Sequence, residues 1–558
     1  MAQTAQELIQ WHESLLQPRR LWEPTWDRIG RLVLPRKSGL QFYRTPGLRI
    51  EDQFTGTAIR ANELLASSMQ GALTSAVVRW FALADGTRSK NKAVNAWYEE
   101  FSERLYRNLT RSNFQQEMQE VYLDLGAFGT ACILMDEKQG GGTLFRGFRF
   151  QSQEIGTFVI SEDGEGHVDV VMRLLKMTPR AAFRRWGNRV GERILRLKDH
   201  TDSAEVPFEI LHASYPRDGV SGYKKGTHPR RLPYASCYVD VEGRYFIEES
   251  GFHEQAFFAP RWTKVTGETY GRGPGFTSLG DISSLNEAVK LNLQAWSSSV
   301  RPPMLRRHDG VIGTPKLTPG SFIDVYDMEA LKAFETGANH QINVIEREAL
   351  QNDIRNMFFW EQLQLPNQLM PTATEIQKRL ELMQRVLGPT LGRIDTELHA
   401  KVIMRGAAMM LRAGERSEWL DPNGAPEPPG EVLDQLSRGI AEADIEYLGP
   451  LARAQKVTDA DSLTQAVLAV EPIVKIQPDS AIVIDGKQAI RYMFEKRGMP
   501  SNLLLSPDEV KQIEAEMKEA REATAQQEKL KGASEAARNF GVDAEMLTGG
   551  APDQEAAA

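Results

Sequence analysis

A chain of 558 residues with 41% hydrophobic and 25% charged side chains is long enough for several domains and apolar enough for sizeable cores. Its two cysteines, Cys132 and Cys237, argue against a disulfide scaffold or a cysteine-ligated metal site, and no apolar run reaches the roughly 18 residues a membrane span needs. The net charge of −8 is uneven, because residues 421–558 hold 25 acidic and 14 basic side chains; tight grip on nucleic acid calls for a basic face, so DNA, if it is a partner, is expected to slide past.

Met1–Ile9 is polar and helical in character, without a basic-then-apolar leader, which reads as a soluble protein made and assembled in the cytoplasm. Residues 4–35 read as two amphipathic helices split at Pro18, with Trp22, Trp26, Ile29 and Val33 at helical spacing. Ala58, Leu65, Met69 and Leu73 mark a helix over 55–75, and 94–136 reads as helical, ending in the apolar run Ala131–Met135. From 143 to 265, short apolar or alternating runs separated by Gly, Asp and Pro predict strands, such as Val168–Met172, Phe208–Leu211 and Tyr238–Val241, with a helix near Pro179–Trp186.

The stretch Gly267-Glu-Thr-Tyr-Gly-Arg-Gly-Pro-Gly275 comes next. Glycines that open a helix suggest phosphate binding, but Gly271, Gly273 and Gly275 lack the G-x-G-x-x-G interval, and no G-x-x-x-x-G-K-[ST] occurs in the chain. The helix that follows, about 279–299, carries Ile282, Leu285, Val289, Leu293 and Trp296 on one stripe and breaks at Arg301-Pro-Pro303. Residues 301–337 form a compact insert, with strands expected at Met304–Leu305 and Ser321–Tyr326. A second helix spans about 339–361.

After Leu363–Pro371, Thr372 and Glu375 predict a capped helix with the stripe Ile376, Leu380, Met383, Leu387, Leu391, Ile394, Leu398 and Val402, kinked at Pro389. Residues 414–443 read as a linker, and Ile445–Leu448 as a strand returning to the sheet region. Helices are expected over 456–530, one starting at Ser506-Pro-Asp-Glu509.

The sequence offers little chemistry. Nine histidines are scattered without an H-E-x-x-H pair, and no G-x-S-x-G elbow is present. No catalytic residue, cofactor site or metal site is therefore expected. Glu162, Asp163, Glu165 and His167 read as a solvated hairpin turn in preference to a metal site. Arg79-Trp-Phe81 reads as core in preference to a base-stacking platform. Arg301, Arg306, Arg307 and Lys316 stand around the 301–337 insert and fit nucleic acid, acidic protein surfaces or a solvated rim equally well.

Three sets of residues, in order, resemble the portal, or head-to-tail connector, proteins of short-tailed bacteriophages. They are Arg20, Trp22, Glu23, Leu34-Pro35, Asp52, Thr55-Gly56, Leu73-Thr74 and Arg79-Trp-Phe81; Gly267–Pro274 with Leu279, Asp281, Leu285 and Asn286; and Thr372–Ile376 through Leu387-Gly-Pro389, Arg393 and Glu397. The resemblance implies an α+β, mainly helical subunit assembling into a homo-oligomeric ring, usually of twelve. By position it implies a wing (1–278), stem helices (279–300 and 339–361), a clip (301–338), a tunnel loop (362–372), a long kinked helix (373–413), a linker and strand returning to the wing (414–455), a helical crown (456–531) and a disordered tail (532–558). Ile282, Leu285, Val289 and Leu293 would pack the stem. Arg301, Arg306, Arg307 and Lys316 would face partners at the clip, and Leu365, Asn367, Gln368, Leu369 and Met370 would form the channel loop. The implied partners are double-stranded DNA, the packaging terminase, tail or adaptor proteins, and the major capsid and scaffold proteins, at the capsid vertex of the virion and with no membrane. The alternatives are a DNA-packaging motor or nuclease, against which the missing phosphate loop counts, and a capsid or scaffold protein without a channel.

Overall fold

The computed structural model describes residues 4–37, 53–86, 91–138, 144–200, 202–217, 228–300, 304–306, 331–333, 340–363, 387–438, 443–449, 490, 493 and 507–539. Residues 1–88 with 97–458 form one compact unit, and 89–96 with 459–558 form a second. The described chain is α+β and mainly helical.

The first helix, α1 (Ala5–Arg20), opens with a reciprocal cap in which the Glu7 N–H donates to Thr4 Oγ1 and the Thr4 N–H to the Glu7 carboxylate. Pro18 lies inside its last turn, so the break expected there falls instead at residues 21–22, before α2 (Glu23–Leu32). A third helix, α3 (Thr57–Leu73), leads to β1 (Phe81–Asp85). Trp80 and Phe81 are fully buried, Trp80 stacking on Phe114 with ring centroids 6.3 Å apart. They are core residues, as expected, although at the start of a strand and not at the end of a helix.

Helices α4 (Lys92–Arg111) and α5 (Phe114–Phe128) follow, and then β2 (Cys132–Glu137). The apolar run 131–135, expected to end a helix, is therefore a strand. A short apolar run fits either element, and Gly129 decides: its φ of +81° gives α5 a left-handed C-cap, after which the chain is extended.

Strand β2 is the centre of a three-stranded sheet, between β3 (Phe148–Gln153) and β9 (Phe257–Phe258). Beside it in sequence lies an antiparallel meander of β4 (Phe158–Glu162), β5 (Val168–Met177), β6 (Phe208–Pro216), β7 (Tyr234–Asp240) and β8 (Tyr245–Phe252). Alternate residues point to opposite faces. Val170, Met172, Leu211, Ala213, Cys237 and Val239 meet Leu8 and its neighbours on α1. Phe208, Ile210, Tyr238 and Ile247 meet α6 (Pro179–Trp186) and α7 (Gly191–Asp199) through Trp186 and Ile194. The strand character expected over 143–265 thus reflects two sheets, the larger of them covered on both faces.

The four-residue α8 (Pro274–Thr277) precedes α9 (Leu279–Val300). Strands β10 (Met304–Arg306) and β11 (Leu331–Ala333) pair antiparallel, and α10 (His340–Met357) then packs on α9 before the short α11 (Trp360–Leu363). The strand expected at 321–326 and the cap at Thr372 lie outside the described residues.

Helix α12 is described from 387 to 416 and buries Leu387, Leu391, Ile394, Leu398 and Val402 of the predicted stripe, whose Ile376, Leu380 and Met383 lie outside the described residues. Pro389 lies in its first described turn. The irregularity comes one turn later, where Asp395–His399 form a π-helical turn. The expected linker 414–443 contains a helix, α13 (Gly430–Arg438), and β12 (Ala443–Tyr447) pairs with β1, not with the meander. In the second unit, α14 (Pro507–Asn539) starts at the predicted proline and continues past residue 532, where a disordered tail was expected. Its Ala- and Glu-rich sequence favours helix throughout.

Candidate functional site

The glycine-rich stretch ahead of α9 has a packing explanation. A Cβ on Gly273 would fall on the Leu125 carbonyl, and within 2.9 Å of both the Gly126 carbonyl and the Gly129 nitrogen. A Cβ on Gly275 would lie 2.6 Å from the Ala127 carbonyl. The obstacles are backbone atoms at the C-terminal end of α5, so only glycine allows this approach. Hydrogen bonds tie the surfaces together: Gly271 N–H donates to Thr130 Oγ1 at 2.8 Å, and Trp262 N–H to the Gly129 carbonyl at 2.9 Å. The glycines therefore fix the base of α9 against α5.

A buried cation reinforces this joint. Arg261 is 1% exposed and pairs with two acids, Glu162 at the end of β4 and Glu397 in the π turn. Its Nη2 lies 2.6 Å from one Glu397 oxygen, and its backbone N–H donates to the other at 2.9 Å. Further N–H groups reach the carbonyls of Gly166 and Thr269. Burial alone would lower the guanidinium pKa, but hydrogen bonds and charge from Glu397 and Glu162 outweigh it and hold it above the ordinary value. Four segments (the β4–β5 turn, the strand end at 261, the glycine-rich turn and α12) thus meet at one side chain.

A second buried cluster lies in the same π turn. His399 Nδ1 is 2.6 Å from Asp395, and Nε2 is 2.9 Å from the Tyr122 hydroxyl, which in turn is 3.2 Å from Thr74 Oγ1. An Asp–His–hydroxyl chain looks catalytic in outline. Here burial drives the Tyr122 pKa far up, so the phenol stays protonated, and Thr74, Tyr122 and His399 are all buried. The arrangement satisfies polar groups in the core. Sequence reasoning missed it because Tyr122 and His399 are 277 positions apart; the i,i+4 spacing of Asp395 and His399 was the available signal.

Two further reactive groups among the described residues are similarly committed. Burial pushes the Cys132 thiol up to about 12, which makes a thiolate nucleophile unfavourable. Asp163, Glu165 and His167 do gather at the exposed β4–β5 turn, but the Asp163 carboxylate accepts the N–H groups of Glu165 and His167, while Glu162 turns to Arg261 and Lys264. The three side chains lie exposed at this turn.

The predicted stem residues divide into two groups. Ile282 and Leu285 are buried within the subunit and Val289 is half-buried. Beyond them α9 exposes Leu291, Leu293 (49%) and Trp296 (66%), and α10 exposes Ile345 (71%). Leu285, expected to pack between subunits, is already covered by its own chain. Arg306 lies on β10 opposite Leu331. Arg301, Arg307, Lys316, Leu365, Asn367, Gln368, Leu369 and Met370 lie outside the described residues. Among the described residues no helix is long and apolar enough to cross a membrane.

Comparison with known proteins gives a consistent result. A family model described as "Bacteriophage head to tail connecting protein" matches residues 5–504. The portal protein of Salmonella phage epsilon15 is 26% identical over 536 residues, covering 92% of each chain. The probable portal protein of Bordetella phage BPP-1 is 24% identical over 539 residues, covering 94% of this chain and 93% of the relative. A chain from the neck of an empty GTA particle computed with C6 symmetry covers 76% of this chain and 90% of its own at 10% identity and a TM-score of 0.33. A chain from the virion of a native gene transfer agent particle covers 79% and 94% at 11% identity and a TM-score of 0.32. The structural likenesses are too low to carry weight, but the family match spans most of the sequence: this chain belongs to the bacteriophage head-to-tail connecting proteins.

Proposed function

We propose that the chain is a phage portal: its copies close into a ring at one capsid vertex, through which the genome is packaged and later ejected, and on which the terminase and then tail proteins dock. The observation that carries the reading is the outer part of the α9–α10 pair. At the start of α9, Ile282 and Leu285 are buried within the subunit, yet Leu293 and Trp296 farther along it and Ile345 on α10 lie exposed. Large apolar side chains exposed along a helix pair are costly in water and favour burial against neighbours. The role is mechanical and not catalytic, with the acidic balance of residues 421–558 disfavouring stable attachment of phosphates. Twelve subunits, the capsid and scaffold contacts, and assembly in the host cytoplasm follow from the family resemblance.

Leu293→Asp with Trp296→Asp tests the assembly claim. Both side chains are exposed in the subunit, so folding by circular dichroism is expected to match the wild type while sedimentation shows subunits in place of rings. Intact rings would remove this face from the interface. Leu285→Asp is the wrong probe, because it would bury an unpaired carboxylate inside the subunit.

The strand pair β10–β11 is assigned to the clip, and 362–372 to the tunnel loop. Arg306→Glu with Arg307→Glu is expected to spare ring formation but weaken terminase or tail docking. Deletion of 367–370 is expected to spare rings but impair completion or retention of packaging. Both are read from tail attachment and from the length and yield of packaged genome. Normal particles in either case would cancel the corresponding assignment.

A further inference from the structure

One place in the first unit departs from a surface that merely lets DNA pass. Between the last turn of α4 and the β2–β3 hairpin lies a pocket of about 130 Å³. Arg111, Lys138 and Arg146 line it, and no carboxylate does. Arg111 and Lys138 are exposed and form no ion pair with a described residue, unlike many arginines and lysines of this unit. Two acids close in sequence to lining residues are engaged elsewhere. The Asp421 carboxylate accepts the backbone N–H groups of Phe145 and Asn423, and Glu137 pairs with Arg416. In sequence, no acid stands between Lys138 and Arg149.

The pocket wall is also held in place. Asn108 is 5% exposed and donates from its side-chain amide to the Asn423 carbonyl at 2.7 Å, which locks the 421–424 turn against α4. The Lys138 N–H donates to the Gly147 carbonyl at 3.0 Å, closing the hairpin across the other side. Three cations therefore stand around a small cavity whose frame is fixed by neutral hydrogen bonds.

We propose that this pocket binds the phosphate backbone of a nucleic acid, making it a local holding point on a portal that otherwise lets DNA slide. A lone protein carboxylate offers a single charge that one arginine can satisfy bidentately. A nucleic-acid strand presents a charge about every 3.4 Å, so rim cations and pocket can meet successive phosphates. The choice of nucleic acid as the source of the anion rests on the portal reading.

The test uses full-length protein and a short fluorescein-labelled DNA duplex, with binding followed by anisotropy over a salt series. For Arg111→Gln with Lys138→Gln, the slope of log affinity against log salt is expected to fall by about two, with affinity weakened on the order of tenfold. A control, Arg180→Gln with Arg196→Gln, removes the same charge from exposed positions on α6 and α7 and is expected to change neither. Equal losses in both variants would mean diffuse attraction and overturn the pocket, as would unchanged binding in the first. Variant-sensitive binding of polyglutamate without variant-sensitive binding of the duplex would also overturn it, in favour of an acidic protein ligand. Sedimentation of the same samples separates the two claims. Rings without variant-sensitive DNA binding sink the pocket and leave the portal standing; variant-sensitive DNA binding without rings does the reverse.

Discussion

Arg261→Ala is expected to destabilise the first unit by about 3–5 kcal/mol, the cost of removing one partner from a buried ion cluster. The arginine is 1% exposed, and Glu397 and Glu162 are 12% and 19% exposed. Removing the cation leaves Glu397 with little solvent to replace it, while Lys264 still meets Glu162 at 2.6 Å. Two carbonyls, of Gly166 and Thr269, lose donors as well. The denaturation midpoint in urea should fall, and the β4–β5 turn, the glycine-rich turn and α12 should lose hydrogen-exchange protection together. The double variant Arg261→Met, Glu397→Gln removes the most buried pair, leaves Glu162 to Lys264, and should recover much of the loss, because no unpaired carboxylate is left buried. If the double variant is no better than the single, the damage comes from lost packing and not from an unpaired carboxylate.

Gly273→Ala is expected to be of similar size, about 3 kcal/mol or more, although it adds a single methyl group. The added carbon meets backbone at Leu125, Gly126 and Gly129, none of which can rotate aside, so α5 and the base of α9 must separate. Since α9 is held there, the variant should also assemble poorly. Gly280→Ala is the matched control. It lies in the first turn of α9 with nothing within 4 Å of its Cβ position, and should be neutral or slightly stabilising through helix propensity. Thermal melts of the two variants decide the matter: equal, small shifts would mean that the glycine contacts are not structural.

What could be read from the sequence was local. The stripe from Leu387 to Val402, the helix start at Pro507 and the alternation of β5 to β7 each depend on spacing within one element, and each appears in the structure. What could not be read depends on residues far apart. Gly273 was conspicuous, but its reason is a backbone over 140 positions earlier at Leu125–Gly129. The run Ala131–Met135 passed for helix because nothing in five apolar residues reports that Gly129 has turned the chain. The stripe of α9 was legible as Ile282, Leu285, Val289 and Leu293, yet periodicity does not tell where the subunit's own cover ends. That boundary, between Leu285 and Leu293, separates folding from proposed assembly. Arg261, the joint's central cation, went unnoticed because its partners Glu162 and Glu397 come from opposite sides in sequence.

The portal reading is tested most directly by electron microscopy of the purified, full-length protein. The account predicts closed rings with a central hole in top views, their size unchanged by Gly280→Ala and their formation lost in Leu293→Asp with Trp296→Asp. Monomers at concentrations where the subunit is folded, or closed assemblies without a hole, would contradict it.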